Sequence, residues 1–264
     1  MRVESLTSSK NPLLKDVRRA IARGALTEDG FAVAETFHLL EEALRSDSEV
    51  KAVLVAESIR SAVENHVRGL SGPRVIAVPD ELFRELSSTQ TAQGVVALVR
   101  PPAWTLDQIF RGKSLVVVLD GVQDPGNAGS IVRAAEAFGA SGIAFLKGSV
   151  NPYNPKCVRA SAGSLFRVPC IAGVEERVLQ AAIAQHRLDV YAAVVTGERT
   201  PNEIDLTRRC ALIIGSEGHG VSHTLRSAAT GLRIPTSGVE SLNAAVAAGI
   251  LLYEARRQRT AKSS

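Results

Sequence analysis

From Leu115 onward, short apolar β-branched runs alternate with helical patterns, and this alternation constrains the fold more than any other feature of the chain. The runs at Leu115–Leu119, Gly142–Leu146, Val168–Ala172, Val190–Val195, Ala211–Ile214 and Leu232–Ile234 predict strands. Between them, apolar residues at helical spacing predict helices over Ala128–Phe138, Val174–Gln185 and Ser222–Ala229, then a long one over Ser241–Arg257. Strands that are apolar along nearly their whole length are buried on both faces. The expected architecture is therefore α/β, a mostly parallel sheet flanked by helices.

The N-terminal part alternates in the same way. Strands are expected at Phe31–Ala34, Val50–Val55, Arg74–Ala77 and Gly94–Val99, and helices at Asn11–Ala22, Phe37–Arg45, Ile59–His66 and Asp80–Glu85. The segment Arg100-Pro101-Pro102-Ala103-Trp104 cannot extend a central strand and favours extended backbone. It divides the chain into a smaller α/β domain (1–100), a linker (101–110) and a second α/β domain (111–264).

Composition excludes several classes. With 264 residues, 45% hydrophobic and 22% charged, the chain can bury a full core, which argues against disorder. Cys157, Cys170 and Cys210 are odd in number and lack metal-ligand spacing, so no disulfide framework and no metal are expected. Residues 1–20 carry no apolar signal-peptide core. The most apolar stretch, Ala244–Tyr253, falls short of the roughly 20 residues that span a bilayer. The expectation is a soluble cytoplasmic protein with no membrane partner. The 31 basic and 27 acidic side chains leave a net charge of +4. Arg2, Lys10, Lys15, Arg18, Arg19 and Arg23 face only Glu4 and Asp16 within residues 1–25. A solvated helix face and an RNA contact both account for that cluster.

Three clusters carry chemistry. In the first, Asp124-Pro125-Gly126-Asn127-Ala128-Gly129-Ser130-Ile131-Val132-Arg133, a strand enters a helix, with Asn127 placed to cap it and Gly139 to end it. Read alone, this is also a capped helix with a surface arginine. The second, Ile213-Ile214-Gly215-Ser216-Glu217-Gly218-His219-Gly220, runs a strand into a glycine-rich turn. It lacks the dinucleotide fingerprint and a Walker lysine, and Glu217 would repel a pyrophosphate. A plain strand–helix turn also fits it. His219 and His223 are four apart but enclose no glutamate and have no third partner, so they do not read as a zinc pair. In the third, Ile234-Pro235-Thr236-Ser237-Gly238-Val239-Glu240-Ser241-Leu242-Asn243, Ser241 is placed to cap an alanine-rich helix whose small side chains suit a buried or intersubunit position.

In this order and spacing the clusters resemble the three motifs of the SpoU (TrmH-like) branch of the SPOUT RNA methyltransferases: N-x-G-x-x-x-R, I-G-x-E-G-x-G and I-P-x-x-G-x-x-S-L-N. The likeness covers residues 114–258. The first part resembles the L30e-like substrate-binding domain of many members through Leu6–Pro12, Glu35 before Leu39–Leu44, and Gln93-Gly94. It departs at Glu35-Thr36, where the family carries Glu-Gly.

The resemblance implies a SPOUT-type domain with a deep trefoil knot that moves a methyl group from S-adenosylmethionine (SAM) to a ribose 2′-hydroxyl of structured RNA. It implies catalytic roles for Asn127, Arg133, Glu217 and Asn243. Cofactor contacts would come from Thr196, Gly197, Gly215, Gly218, Ile234, Ser241 and Leu242. The RNA would meet Lys10, Lys15, Arg18 and Arg19. Tyr153, near Lys156 and Arg159, is either one stacking platform or a surface tyrosine. The two-domain layout resembles ribosomal-RNA members more than compact tRNA ones. The family also implies a homodimer through the C-terminal domain, with Arg133 reaching from the neighbouring subunit. The competing readings are a tRNA enzyme, a non-catalytic RNA-binding protein with a degenerate SPOUT domain, and a nucleotide-dependent oxidoreductase, which the missing fingerprint disfavours.

Overall fold

The computed structural model describes residues 3–67, 73–86 and 93–261, so Arg2 of the basic cluster lies outside the described residues. The chain forms two compact units. One comprises residues up to Pro102 together with Tyr153–Phe166, and the other Ala103–Pro152 with the chain from Arg167 onward.

The first unit contains β1 (Val3–Ser5), α1 (Pro12–Arg23), β2 (Ala32–Ala34), α2 (Phe37–Arg45), β3 (Val50–Ala56), α3 (Arg60–Val67), β4 (Arg74–Val78), α4 (Asp80–Arg84) and β5 (Val95–Val99). Its sheet runs β1-β4-β3-β5-β2, parallel from β1 to β3 and antiparallel at β5. Helix α1 starts where Asn11 accepts the Leu13 N–H and ends at left-handed Gly24, burying Leu14, Val17 and Ala20. Lys10 and Lys15 are exposed. Arg18 pairs with Glu85 at 2.7 Å and Arg19 with Glu28, so part of the local positive charge is neutralised. Thr36, where the family has glycine, has an extended φ of −178° and caps α2 by accepting the Leu39 N–H at 3.1 Å. No glycine is needed for that backbone, and the hydroxyl serves the helix.

The second unit contains α5 (Leu106–Ile109), β6 (Leu115–Asp120), α6 (Pro125–Ala137) and β7 (Gly142–Leu146). Next comes α7 (Pro155–Ala160), which lies within the segment that packs with the first unit. There Arg159 pairs with the buried Glu35. The chain continues through β8 (Cys170–Val174), α8 (Glu176–His186), β9 (Asp189–Ala193), β10 (Cys210–Gly215), α9 (His223–Ser227), β11 (Thr230–Leu232) and α10 (Ala244–Ala261). All neighbours in the sheet β11-β9-β10-β6-β7-β8 are parallel. Val116 to Leu119 and Ala211 to Ile214 are all buried, so both faces of the central pair β6 and β10 are covered, as the continuous apolar runs predict. Strand order reverses between these two strands, the place where an open parallel sheet leaves a crevice at its carboxyl ends.

Several sequence expectations are corrected. Of the expected linker 101–110, Leu106–Ile109 is helix α5, and Ile109 and Phe110 are buried in the second unit's core. Strand β11 ends at Leu232, two residues before Ile234, and β8 starts at Cys170. Asn127 does not cap α6; Asp124 does, because Pro125 pre-sets the first helical turn and the Asp124 carboxylate reaches the Asn127 N–H at 2.7 Å. Ser241 does not cap α10 either. Asn243 accepts the Ala245 and Val246 N–H groups at 2.9 and 3.3 Å.

Far from the crevice, Arg259 near the end of α10 donates to the carbonyls of Lys113, Ser114, Leu206 and Arg208 at 2.7 to 3.1 Å. This guanidinium clasps the starts of β6 and β10. Arg259→Ala should destabilise the protein by at least about 3 kcal/mol, since several charge-assisted hydrogen bonds vanish and leave carbonyls unsatisfied. Urea unfolding measures it; a loss of less than 1 kcal/mol, roughly the worth of one neutral hydrogen bond, would contradict the clasp.

Candidate active site

Strands β6 and β10 end in register, Asp120 opposite Gly215. After β10 the chain turns back at once: Ser216 and Gly220 exchange backbone hydrogen bonds of 3.2 and 2.9 Å. A Cβ on Gly215 would sit 2.1 Å from the Gly220 carbonyl carbon, so this close approach requires glycine. The Asp120 carboxylate accepts the Ser222 N–H at 2.7 Å and ties the exit of the turn to the end of β6. Glu217 is left exposed at the tip.

With Asp124 taking the cap, Asn127 sits in the first turn of α6 with its side chain released. Its Nδ2 donates to Glu217 Oε1, and its Oδ1 accepts from Asn243 Nδ2 at 2.9 Å. Asn243 uses its own Oδ1 to cap α10. The relay Glu217–Asn127–Asn243 is directional, because a flipped Asn127 amide would set oxygen against carboxylate and NH₂ against NH₂. It joins the first cluster to the other two, whose members lie 90 and 116 residues from Asn127 in sequence.

Beside Asn243 lies a cleft of about 310 Å³, with Val194, Val195, Ile234 and Leu242 as apolar wall and Ser241 and Glu240 among its polar groups. Gly197 stands outside that lining. A Cβ there would be 2.7 Å from the Arg233 nitrogen, so glycine lets the chain after β9 close against β11 and shape the wall. Thr196 is exposed and accepts from Arg226 at 2.9 Å. A second cavity of about 430 Å³ takes Glu217, Gly218, Asp120, Gln123 and His219.

The structure thus brings Asn127, Glu217 and Asn243 into contact and gathers Ile234, Ser241 and Leu242 around one cleft. Gly197 shapes its wall and Thr196 follows the lining residue Val195, whereas Gly215 supports the turn that lines the other cavity and Gly218 belongs to that cavity. Arg133, exposed on α6, makes no hydrogen bond or ion pair with the described residues. Lys10, Lys15, Arg18 and Arg19 lie in the first unit. Burial pushes the Cys210 thiol up to about 11, so it offers no thiolate. Among the described residues no group of three or more His, Cys, Asp or Glu side chains could hold a metal. None of their helices is long and apolar enough to cross a membrane. The roles of Asp120 and Asp124 were missed in the sequence; the Asp-Pro dipeptide entering a helix was the available signal for Asp124.

An apolar cleft with a few placed polar groups, at the lower end of the roughly 300–1,000 Å³ of small-molecule sites, suits a nucleoside cofactor. Residues 114–253 match the SpoU rRNA methylase family, and residues 11–97 an MRM3-like substrate-binding domain. A relative from Bacillus subtilis, 23S rRNA (guanosine(2553)-2′-O)-methyltransferase RlmP, is 30% identical over 96% of this chain and 100% of its own. The SpoU methyltransferase AviRb from Streptomyces viridochromogenes, crystallised with AdoMet, superposes with a TM-score of 0.86 at 28% identity, covering 95% of this chain and 99% of that one. A structure described for 2-OH methylation of C/U34 on tRNA reaches a TM-score of 0.52 at 30% identity, covering 56% of this chain and 98% of that one. Fold and cleft together define a SAM-dependent RNA methyltransferase. Within that class, the chain belongs to the SpoU rRNA methylase family.

The relay separates two roles of Asn243. Asn243→Ser keeps a capping oxygen and removes only the donor to Asn127, so stability should hold while turnover falls about 100-fold, the scale of one lost oriented donor at an active site. Asn243→Ala should also cost about 1 kcal/mol of stability. Thermal melts and single-turnover kinetics on both variants check this; equal turnover in Asn243→Ser and the parent would contradict it.

Proposed function

We propose that the enzyme methylates a ribose 2′-hydroxyl of large-subunit ribosomal RNA, in the cytoplasm, as a homodimer. The observation that carries this is the Glu217–Asn127–Asn243 relay set beside the cleft. The choice of RNA follows from coverage: the 23S rRNA relative and AviRb align along nearly the whole chain, while the tRNA structure matches little more than half of it.

In this reading Ile234, Ser241 and Leu242 hold the cofactor, Thr196 and Gly197 set the wall of its cleft, and Gly215 shapes the turn that carries Glu217. Bound SAM supplies a methyl group on a sulfonium, a leaving group already activated. The ribose hydroxyl is a weak nucleophile and must be held in line at about 3–3.5 Å. Asn127, Glu217 and Asn243 orient it. Arg133 grips the phosphate and hydroxyl with its guanidinium fork and stabilises the developing oxyanion charge. Its lack of a hydrogen bond or ion pair among the described residues fits a side chain that serves the other subunit's site.

The dimer surface is a stripe on α10. Val246, Ile250 and Tyr253, spaced i, i+4, i+7, remain 51%, 38% and 56% exposed. Tyr253 packs edge-on against Phe138 at the end of α6, the helix that carries Arg133. Covering this stripe with its twin buries apolar surface and brings Arg133 towards the partner. In the first unit, Lys10 and Lys15 offer RNA the unpaired charge, with Arg18 and Arg19 partly neutralised by Glu85 and Glu28.

Tritiated SAM with unmodified ribosomal RNA and tRNA, followed by nucleoside analysis, tests the reaction. Label should appear in a 2′-O-methylated nucleoside of large-subunit RNA; label in tRNA alone, or on a base, contradicts the reading. Mixing inactive Arg133→Ala with inactive Asn127→Ala in equal amounts should restore about one quarter of parental activity, because half of the dimers formed are mixed and each mixed dimer keeps one of its two composite sites. No recovery despite subunit exchange would place Arg133 in its own subunit's site.

A further inference from the structure

We propose that the second cavity, between the end of β6 and the Gly215–Gly220 turn, binds the base of the target nucleotide, and that Gly218 serves this base rather than the cofactor. The inference rests on the RNA methyltransferase reading above and deepens it.

Placement is the first argument. Glu217 lines the second cavity and Asn243 adjoins residues that line the cleft, so the relay stands between the two spaces. A transfer reaction needs its two reactants on either side of the groups that align them. Lining chemistry is the second. The cavity presents two carboxylates, Asp120 and Glu217, with Gln123, Ser216 and His219, and neither lysine nor arginine. Such a surface repels phosphate and accepts N–H donors. A base edge rich in donors fits it, guanine foremost, since N1–H and N2–H₂ lie side by side and suit a carboxylate. The side chains of Gln123 and His219 are exposed and make no hydrogen bond with the described residues, so an amide and a ring face are available for pairing and stacking. The Ser222 hydroxyl, on the same lining, is buried without a hydrogen-bond partner among the described residues.

Gly218 is the third argument. Unlike Gly220, it has no positive φ, and unlike Gly215, a Cβ built there meets nothing within 4 Å. Neither backbone conformation nor internal packing calls for glycine. What the missing side chain leaves open is the approach to Glu217 from outside the chain.

Gly218→Val, Gln123→Ala and His219→Ala, each confirmed folded by its thermal melt, separate the two assignments. Calorimetric SAM affinity should stay within about twofold of the parent while kcat/KM for ribosomal RNA falls about 10-fold or more, the cost of a lost base-edge contact. If Gly218→Val does not fold, Gly218→Ala makes the same comparison. Weaker SAM binding with unchanged RNA KM returns Gly218 to the cofactor site and overturns the proposal, as do variants unchanged in both. Parental label in 2′-O-methyluridine overturns the donor-edge assignment. Absence of any 2′-O-methyl label is a different result and falls on the reading of the reaction.

Discussion

A single side-chain amide holds this site together. Asn127 offers one donor face and one acceptor face, and each is answered by a different loop, Glu217 on one side and Asn243 on the other. An amide is the group that can do this in a fixed sense, giving a hydrogen to a carboxylate while taking one from another amide. Each loop that delivers a member is locked by its own device. Asp124 takes over the cap of α6, Gly215 admits the hairpin turn, Asp120 pins its exit, and Asn243 is held by capping α10. The side chains are therefore placed before any substrate arrives, which lowers the reorganisation left to the reaction.

The sheet explains why the three loops meet. In a parallel sheet every strand delivers its C-terminal end to the same edge, and the crevice opens where strand order reverses. Here that point falls between β6 and β10. The first two motifs leave from these strands, and α10 brings the third. At the opposite edge Arg259 ties the starts of β6 and β10 together through their carbonyls. Rigidity at one end and loops at the other is the arrangement that a site needing sub-ångström placement requires.

Much of this was legible in the chain. Continuous apolar runs announced the parallel sheet, and the helix over Phe37–Arg45 and the strand over Gly142–Leu146 were read to the residue. What was not legible depended on choices between chemically similar neighbours. Asp124 and Asn127 are both good caps, as are Ser241 and Asn243, and only the geometry of the turn decides which oxygen reaches the helix. Strand β1, with three residues, carries too little pattern to see. The union of Tyr153–Phe166 with the first unit arises from tertiary packing, including the Glu35–Arg159 pair, and no local signal encodes it. Among the site residues, the relay was foreseeable as a set but not as a chain of bonds. The separation of Gly218 from the cleft arises only when the Gly215–Gly220 turn folds back, which no local pattern encodes.

Arg133 shows the same logic from the opposite side. Arg18, Arg74, Arg100, Arg167 and Arg257 each answer a carboxylate, while Arg133, like Arg23 and Arg111, answers none among the described residues. The relay is prepared within the chain, and in the proposed reading Arg133 is kept for a contact with the partner subunit's site. The central claim is that Asn127 and Asn243 act as one unit. A double-mutant cycle of Asn127→Ala and Asn243→Ser on kcat/KM measures this directly. The account predicts strong non-additivity, a coupling of at least about 1 kcal/mol, with the double variant hardly worse than either single one. Additive losses would show two residues acting independently and would contradict it.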